Sequence, residues 1–309
     1  MKIGFYSKHA IGADFINGDE ILSQELIKGL KEVDSSVEGF IYAPNKQPTD
    51  DTNLDFMIWL GDYIDDFKFA KKNLFYLQSG LPEENVRFVF TKNFDGVLTY
   101  SHDAIKLYKD LWKNVMYLPL CVDTDTYHPV EKNEEFAYDV SYVGGSWKEP
   151  YLYKKYVLPA IKFNFGLFGS WKEEKRREKE RKSSLNNIYK NLVRLNIRPI
   201  YKSIVNLFPN AIDKLEKICK GKISNEDIST LYCSSKINLN FATELMLKDN
   251  TITGRTFEIL ACKGFCISDK TPFAEETLKD CVVFTDGDED LKQKIEYYLA
   301  HPQERERIA

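Results

Sequence analysis

The sequence predicts an α/β protein of two domains, each a parallel sheet covered by helices. Between Lys2 and Leu118 short apolar runs alternate with amphipathic stretches, as strands and covering helices do. The alternation stops at a Pro- and Asp-punctuated segment, then restarts beyond Asp125. A length of 309 residues suits two ordinary cores better than one.

Strands of the first domain, residues 1–124, are predicted at Lys2 to Tyr6, Val37 to Tyr42, Phe56 to Leu60, Asn73 to Leu77, Gly96 to Tyr100 and Val115 to Leu118. A helix joins the first two, with Ile21, Leu22, Leu26 and Leu30 on one face and Asn17 with Glu20 as a capping box. A second helix follows Ser101, with Ile105, Tyr108, Leu111 and Trp112 at helical spacing. In the second domain, residues 125–309, strands are predicted at Asp139 to Val143, Phe163 to Phe168, Lys236 to Phe241, Phe265 to Ser268 and Val282 to Thr285. Asp288 is expected to cap a last helix lined by Leu291, Ile295 and Leu299, and Gly264 to end an earlier one.

With 43% hydrophobic and 29% charged residues and a formal charge of −4, the chain has an ordinary globular composition. It carries no global pull toward nucleic acid or anionic membrane, so nucleic acid is not an expected partner. The opening MKIGFYSKHA lacks the apolar core of a signal peptide, and no window approaches the roughly 20 apolar residues of a spanning helix, so a cytoplasmic protein is expected. Six cysteines are scattered without a Cys-x-x-Cys pair and read as reduced, mostly buried small hydrophobes. Four histidines and no zinc-type spacing give no expectation of a metal site, nor of any cofactor.

The pentapeptide Gly-Ser-Trp-Lys-Glu occurs twice, at Gly145 to Glu149 and Gly169 to Glu173, each time after an apolar strand. Ligands of open parallel sheets bind at the carboxyl ends of strands, where these loops could offer N–H groups, and Lys148 and Lys172 charge, to phosphates. The alternative is coincidence, with Trp147 and Trp171 as core plugs. Between Trp171 and Lys222 lies a basic stretch read as an insertion: a solvated helix face, or a surface for a membrane or protein partner.

The densest chemistry lies in KINLNFATELMLKDNTITGRTFEILACKGFCISD, a strand, a polar loop and a helix. Asn240 leaves the strand opposite to Ile237, Leu239 and Phe241, and the loop brings Thr253, Gly254, Arg255 and Thr256 to a helix start. Unpaired N–H groups and a partial positive charge make such a start a phosphate site, and the Arg255 fork can grip a pyrophosphate. Glu258, one turn on, could accept hydrogen bonds from ribose hydroxyls. Equally, Arg255 and Glu258 could form a local ion pair.

The segment GRTFEILACKGFCISDKTPFAEETL resembles retaining GT-B glycosyltransferases of family 4, and more specifically the CgeB-type spore-maturation glycosyltransferases. NVMYLPLCVDTDTYHP is similar to that family's interdomain linker, and DVSYVGGSW to the opening strand of its donor domain. The resemblance implies a GT-B fold, two Rossmann-like domains facing a central cleft, and transfer of a sugar from a nucleoside diphosphate without a metal. It implies Arg255 on the diphosphate, Glu258 on the ribose and Gly144, Gly145 and Ser146 near the sugar phosphates, leaving an unidentified acceptor to the first domain. Family members carry a further glutamate eight positions before the one matching Glu258, and here Asn250 stands there. If the reaction inverts, His9 and Asp14 beside Gly12 are candidate bases. If it retains, they orient the acceptor. A nucleotide-sugar epimerase and a non-catalytic nucleotide- or partner-binding module are the rival readings.

Overall fold

The structure is a computed structural model and describes residues 1–12, 18–60, 68–78, 94–110, 114–146, 148–171 and 211–309. Asp14, Asn17, Leu111, Trp112, Trp147, Lys172 and most of the basic insertion lie outside the described residues. The chain divides into two compact units. Unit 1 comprises Met1–Asp123, Leu245–Gly254 and Thr271–Phe273, and unit 2 comprises Thr124–Glu244, Arg255–Lys270 and Ala274–Ala309.

Unit 1 holds strands β1 (Lys2–Tyr6), β2 (Glu38–Tyr42), β3 (Leu54–Trp59), β4 (Ala70–Leu77), β5 (Gly96–Thr99) and β6 (Val115–Tyr117), with helices α1 (Gly18–Val33) and α2 (His102–Tyr108). All neighbouring strands run parallel, in the order β2-β1-β3-β4-β5-β6. Because side chains alternate along a strand, the sheet feeds two cores. Ile3, Phe5, Ile58, Tyr76 and Leu98 face Leu22, Leu26, Ile27 and Leu30 of α1, whereas Tyr6, Met57, Trp59, Phe75 and Val97 form the opposite layer. Helix α1 lies so close that a Cβ on Gly39 would come within 2.5 Å of Ile27. Ser101 caps α2, its Oγ accepting from the Ala104 N–H at 3.1 Å.

Unit 2 holds β7 (Val140–Val143), β8 (Phe165–Phe168), β9 (Ile237–Asn240), β10 (Cys266–Asp269) and β11 (Val282–Thr285). This sheet is also parallel, in the order β11-β10-β9-β7-β8. Its helices are α3 (Pro150–Tyr156), α4 (Ala211–Ile218), α5 (Asn225–Ser234), α6 (Glu244–Lys248), α7 (Gly254–Ala261), α8 (Pro272–Leu278), α9 (Asp288–Ala300) and α10 (Pro302–Ile308), with α6, α7 and α8 crossing the bounds of the two units. In both sheets the first strand sits between the second and the third. The order reverses there, at β1/β3 in unit 1 and β7/β9 in unit 2, and such switch points open a crevice beyond the strand ends.

Two helix ends differ from expectation. Helix α9 is preceded by Gly287 at φ 80°, and Asp288, itself at φ 47°, makes no capping bond. Asp290 in the first turn instead ties down the residues before the helix, its Oδ2 accepting from Asp286 N at 2.9 Å and Thr285 Oγ1 at 2.7 Å. After α7 the left-handed residue is Lys263 at φ 52°, with Lys263 N bonded to Leu260 O and Gly264 N to Ile259 O. Gly264 serves close approach instead, since a Cβ there would sit 3.0 Å from the Tyr232 carbonyl oxygen.

Within unit 1, Leu245–Gly254 is pinned by polar bonds. Ser101 Oγ donates to Asp249 O at 3.0 Å, Asn250 Nδ2 to Asp103 Oδ2 at 3.0 Å, and Phe273 N to Asn250 Oδ1 at 2.8 Å. Asn250 also adopts φ 53°, a left-handed conformation that asparagine tolerates better than glutamate. Both ends of its amide are therefore occupied in holding this segment.

Candidate functional site

The strand ends at the unit 2 switch point are built from small residues and then charged. β7 runs into Gly144, Gly145 and Ser146, and β8 into Gly169 and Ser170. Gly144 N donates to Phe168 O at 2.9 Å and Ser146 N to Ser170 O at 3.1 Å, so the Gly-Ser pairs that open the two pentapeptides lie side by side. A Cβ on Gly169, which has φ 131°, would come 2.1 Å from the Gly144 carbonyl oxygen. Trp171 is fully buried against Tyr142 and Tyr153 as a core plug.

Lys148 turns back over the sheet. Its Nζ donates to the Phe241 carbonyl at the end of β9 and lies 4.0 Å from the Phe241 ring centroid. Burial and repulsion from Arg255 push its pKa down to about 7, against the opposing pull of Asp269 and Glu149. Arg255, second residue of α7, donates from Nη1 to the Val143 carbonyl at the end of β7. Burial works against its charge, but Tyr232, Glu258 and Tyr142 more than offset that, and the guanidinium stays protonated. Adjacent parallel strands thus each end on a cation.

Carboxylates face both cations. Glu258 Oε2 lies 3.6 Å from Arg255 Nε, the expected i,i+3 ion pair, and accepts from Tyr232 Oη at 3.2 Å. Asp269, buried at the end of β10, accepts from Ala242 N at 2.8 Å. Burial holds its carboxyl above the usual range, while the Ala242 N–H and Lys148 pull it down. Asn240 and Thr256 lie beneath, buried and bonded together, Asn240 Nδ2 donating to Thr256 Oγ1 at 2.9 Å and Ser268 Oγ at 3.3 Å. They fix the helix that carries Arg255. Thr253 and Gly254 close the segment that belongs to unit 1.

Like charges held side by side repel in a partly desolvated place, and an anion set between them removes that repulsion. The arrangement therefore suits a polyanionic group such as a diphosphate, which the α7 N-terminus also favours.

In unit 1 the end of β1 carries different chemistry. Ser7 is buried, and its Oγ lies 3.0 Å from His9 O, 3.1 Å from His9 N and 3.5 Å from Asp19 Oδ2. His9 is exposed, and Gly12, at φ 68°, donates from N to Glu20 Oε2 at 3.3 Å. Burial raises the Asp19 carboxyl above its ordinary value, opposed by His9, Gln78 and Lys8.

Asp19, Asp269 and Tyr232 escaped the sequence reading. Asp19 looks like an ordinary helix-start carboxylate, and Tyr232 like one more apolar position of α5. Asp269 left a signal: a carboxylate directly after the apolar run of a predicted parallel strand falls where ligands bind. Among the described residues, no three His, Cys, Asp or Glu side chains converge as metal ligands.

A family model described as glycosyl transferase-like matches residues 205–309. No curated protein matches the chain. A glycosyltransferase from Rickettsia africae is 15% identical at a TM-score of 0.57, covering 99% of this chain and 90% of that one. T4 phage BGT in complex with its UDP-glucose substrate is 14% identical at a TM-score of 0.59, covering 100% and 92%. The same phage enzyme in complex with UDP and Mn2+ is 16% identical at 0.60, again covering 100% and 92%. The fold is GT-B. Within this GT-B chain the family match takes in β9, α7 and β10, and so Arg255, Glu258 and Asp269, whereas Lys148 lies before it.

Proposed function

We propose that this protein is a glycosyltransferase that moves a sugar from a nucleoside-diphosphate sugar to an unidentified acceptor, with unit 2 as the donor-binding domain and unit 1 as the acceptor-binding domain. One observation carries this reading: Lys148 and Arg255 meet at the ends of the adjacent strands β9 and β7, bonded to Phe241 O and Val143 O. Further support comes from the GT-B fold and from the glycosyl transferase-like match over 205–309.

In this mechanism Arg255, Lys148 and the N–H groups at the start of α7 neutralise the departing diphosphate, as preorganised donors stabilise charge that develops in a transition state. Glu258 accepts from the ribose hydroxyls, its position set by Tyr232 and Arg255. Those two fixed cations supply the role a divalent ion fills elsewhere, so turnover is expected to survive a chelator. The sequence resemblance favours retention of configuration, in which case Ser7, His9 and Asp19 orient the acceptor hydroxyl. If the outcome is inversion, Asp19, with its raised carboxyl, is the candidate base.

The test is a nucleotide-sugar panel on the wild type and Arg255→Ala, with product analysis. Sugar transfer or donor hydrolysis by the wild type, lost in the variant, is expected. Undiminished turnover in Arg255→Ala removes the site, and release of an altered nucleotide sugar without acceptor makes the protein an epimerase instead.

A further inference from the structure

Lys148 follows Gly144, Gly145 and Ser146, and glycine gives such a segment a freedom that must be removed before a cation in it keeps one place. Tyr153, on α3 and fully buried, removes it. Its Oη donates to Gly145 O at 2.5 Å and accepts from Lys148 N at 2.9 Å, so one hydroxyl joins the two ends of residues 145–148. The ring fixes that hydroxyl in turn. It packs edge-on against Trp171 at 4.9 Å and Phe241 at 5.5 Å between centroids, and Phe241 is the residue whose carbonyl and ring receive the Lys148 ammonium.

The geometry points to Tyr153 as a positioning residue, which holds Lys148 by its main chain and supports its partner Phe241, and so sets how tightly the diphosphate of a nucleotide binds, a role that rests on unit 2 being the donor-binding domain.

A phenol suits this task because it donates and accepts at once, which the same ring without its oxygen cannot do. Tyr142 Oη and Trp171 Nε1, buried in the same aromatic layer, make no hydrogen bond among the described residues. Of these three rings Tyr153 alone bonds to the segment that carries Lys148. Burial pushes its ionisation up, with the Lys148 N–H opposing and Glu149 adding, so the hydroxyl keeps its proton across the range near pH 7 in which Lys148 titrates. The clasp therefore stays closed whichever form Lys148 takes.

Removing the hydroxyl loosens the main chain of Lys148 but leaves the Phe241 carbonyl and ring to receive the ammonium. The charge stays present and is less well placed. Its misplacement should cost less than its loss, and should cost nothing once the charge itself is gone.

The test is a double-mutant cycle on the full chain with Tyr153→Phe and Lys148→Met, read by calorimetric titration. UDP, GDP, ADP, CDP and dTDP are titrated into the wild type, and the tightest binder is carried through all four proteins. Tyr153→Phe should weaken that binding by about 3- to 10-fold, the range that one hydrogen bond commands. In the Lys148→Met background the same change should cost less than about 2-fold, whereas a hydroxyl that only supports the fold would cost the same in both. Amide hydrogen exchange on the ligand-free protein needs no nucleotide: the Lys148 N–H should be protected in the wild type and exchange faster in Tyr153→Phe. Equal losses in the two backgrounds, no loss in either, or an unprotected Lys148 N–H in the wild type overturns the role of Tyr153 alone. A wild type that binds none of the five nucleotides overturns the donor-binding assignment of unit 2, and the role of Tyr153 with it.

Discussion

The ends of β7 and β9 in unit 2 and the end of β1 in unit 1 occupy the same topological place in two sheets of the same strand order, yet they are furnished in opposite ways. In unit 2 two cations are bonded to strand-end carbonyls and partly matched by Glu258 and Asp269. In unit 1 the half-buried carboxyl of Asp19 stands beside a buried serine near an exposed histidine. Topology chooses where a crevice opens, and the few residues that end the strands choose what it binds. A cation pair favours a polyanion. A half-buried carboxylate beside a serine hydroxyl suits a neutral, hydrogen-bonding group.

The strongest way to break this contrast is Arg255→Ala. Loss of a charge-assisted donor at a developing oxyanion should lower turnover by about 100- to 1000-fold and weaken binding of UDP in calorimetry. An unchanged UDP titration would mean that the unit 2 cations are merely structural. If the reaction inverts, Asp19→Asn should lower turnover by about 100-fold while leaving UDP affinity untouched, which steady-state kinetics with separate donor titrations can resolve. If UDP affinity falls as well, the division of labour between the units is wrong.

Lys148→Met keeps the stem and removes the charge. It should weaken UDP binding by roughly 10-fold without lowering the melting temperature of the ligand-free protein, because a buried, repelled ammonium stabilises little. A large fall in melting temperature would recast Lys148 as a support for the sheet.

The smallest effect is in protons. With its folded pKa lowered to about 7 from 10.5, Lys148 binds fewer protons in the folded protein than in the unfolded chain between those values. This group therefore makes stability rise with pH across that window, its buried-charge cost being fully present below and relieved above. A bound diphosphate restores the charge, so binding of UDP at about pH 8 should take up a fraction of a proton. Calorimetry in buffers of different ionisation enthalpy measures it, and release of protons would contradict the assignment.

Much of this was legible in the residues. Apolar alternation located all the described strands to within a few positions, because a strand buried on both faces has few other sequences available to it. The Arg255 to Glu258 segment stood out because a polar loop before a helix start is a phosphate pattern in one dimension. The ion-pair reading is the one the fold displays, since Arg255 lies beside Glu258 and also reaches the Val143 carbonyl. Asn240 and Thr256 are a subtler case. The sequence reads them as ligand contacts, and in the fold they also bond to each other under the helix.

Spacing along the chain determined periodicity, strand positions and helix starts, because those depend on neighbours a few residues apart. Only the tertiary structure decided which distant groups share a dielectric environment. Lys148 and Arg255 are separated by a long stretch of chain, and desolvation and charge coupling exist only once folding has brought such groups together and excluded water from around them.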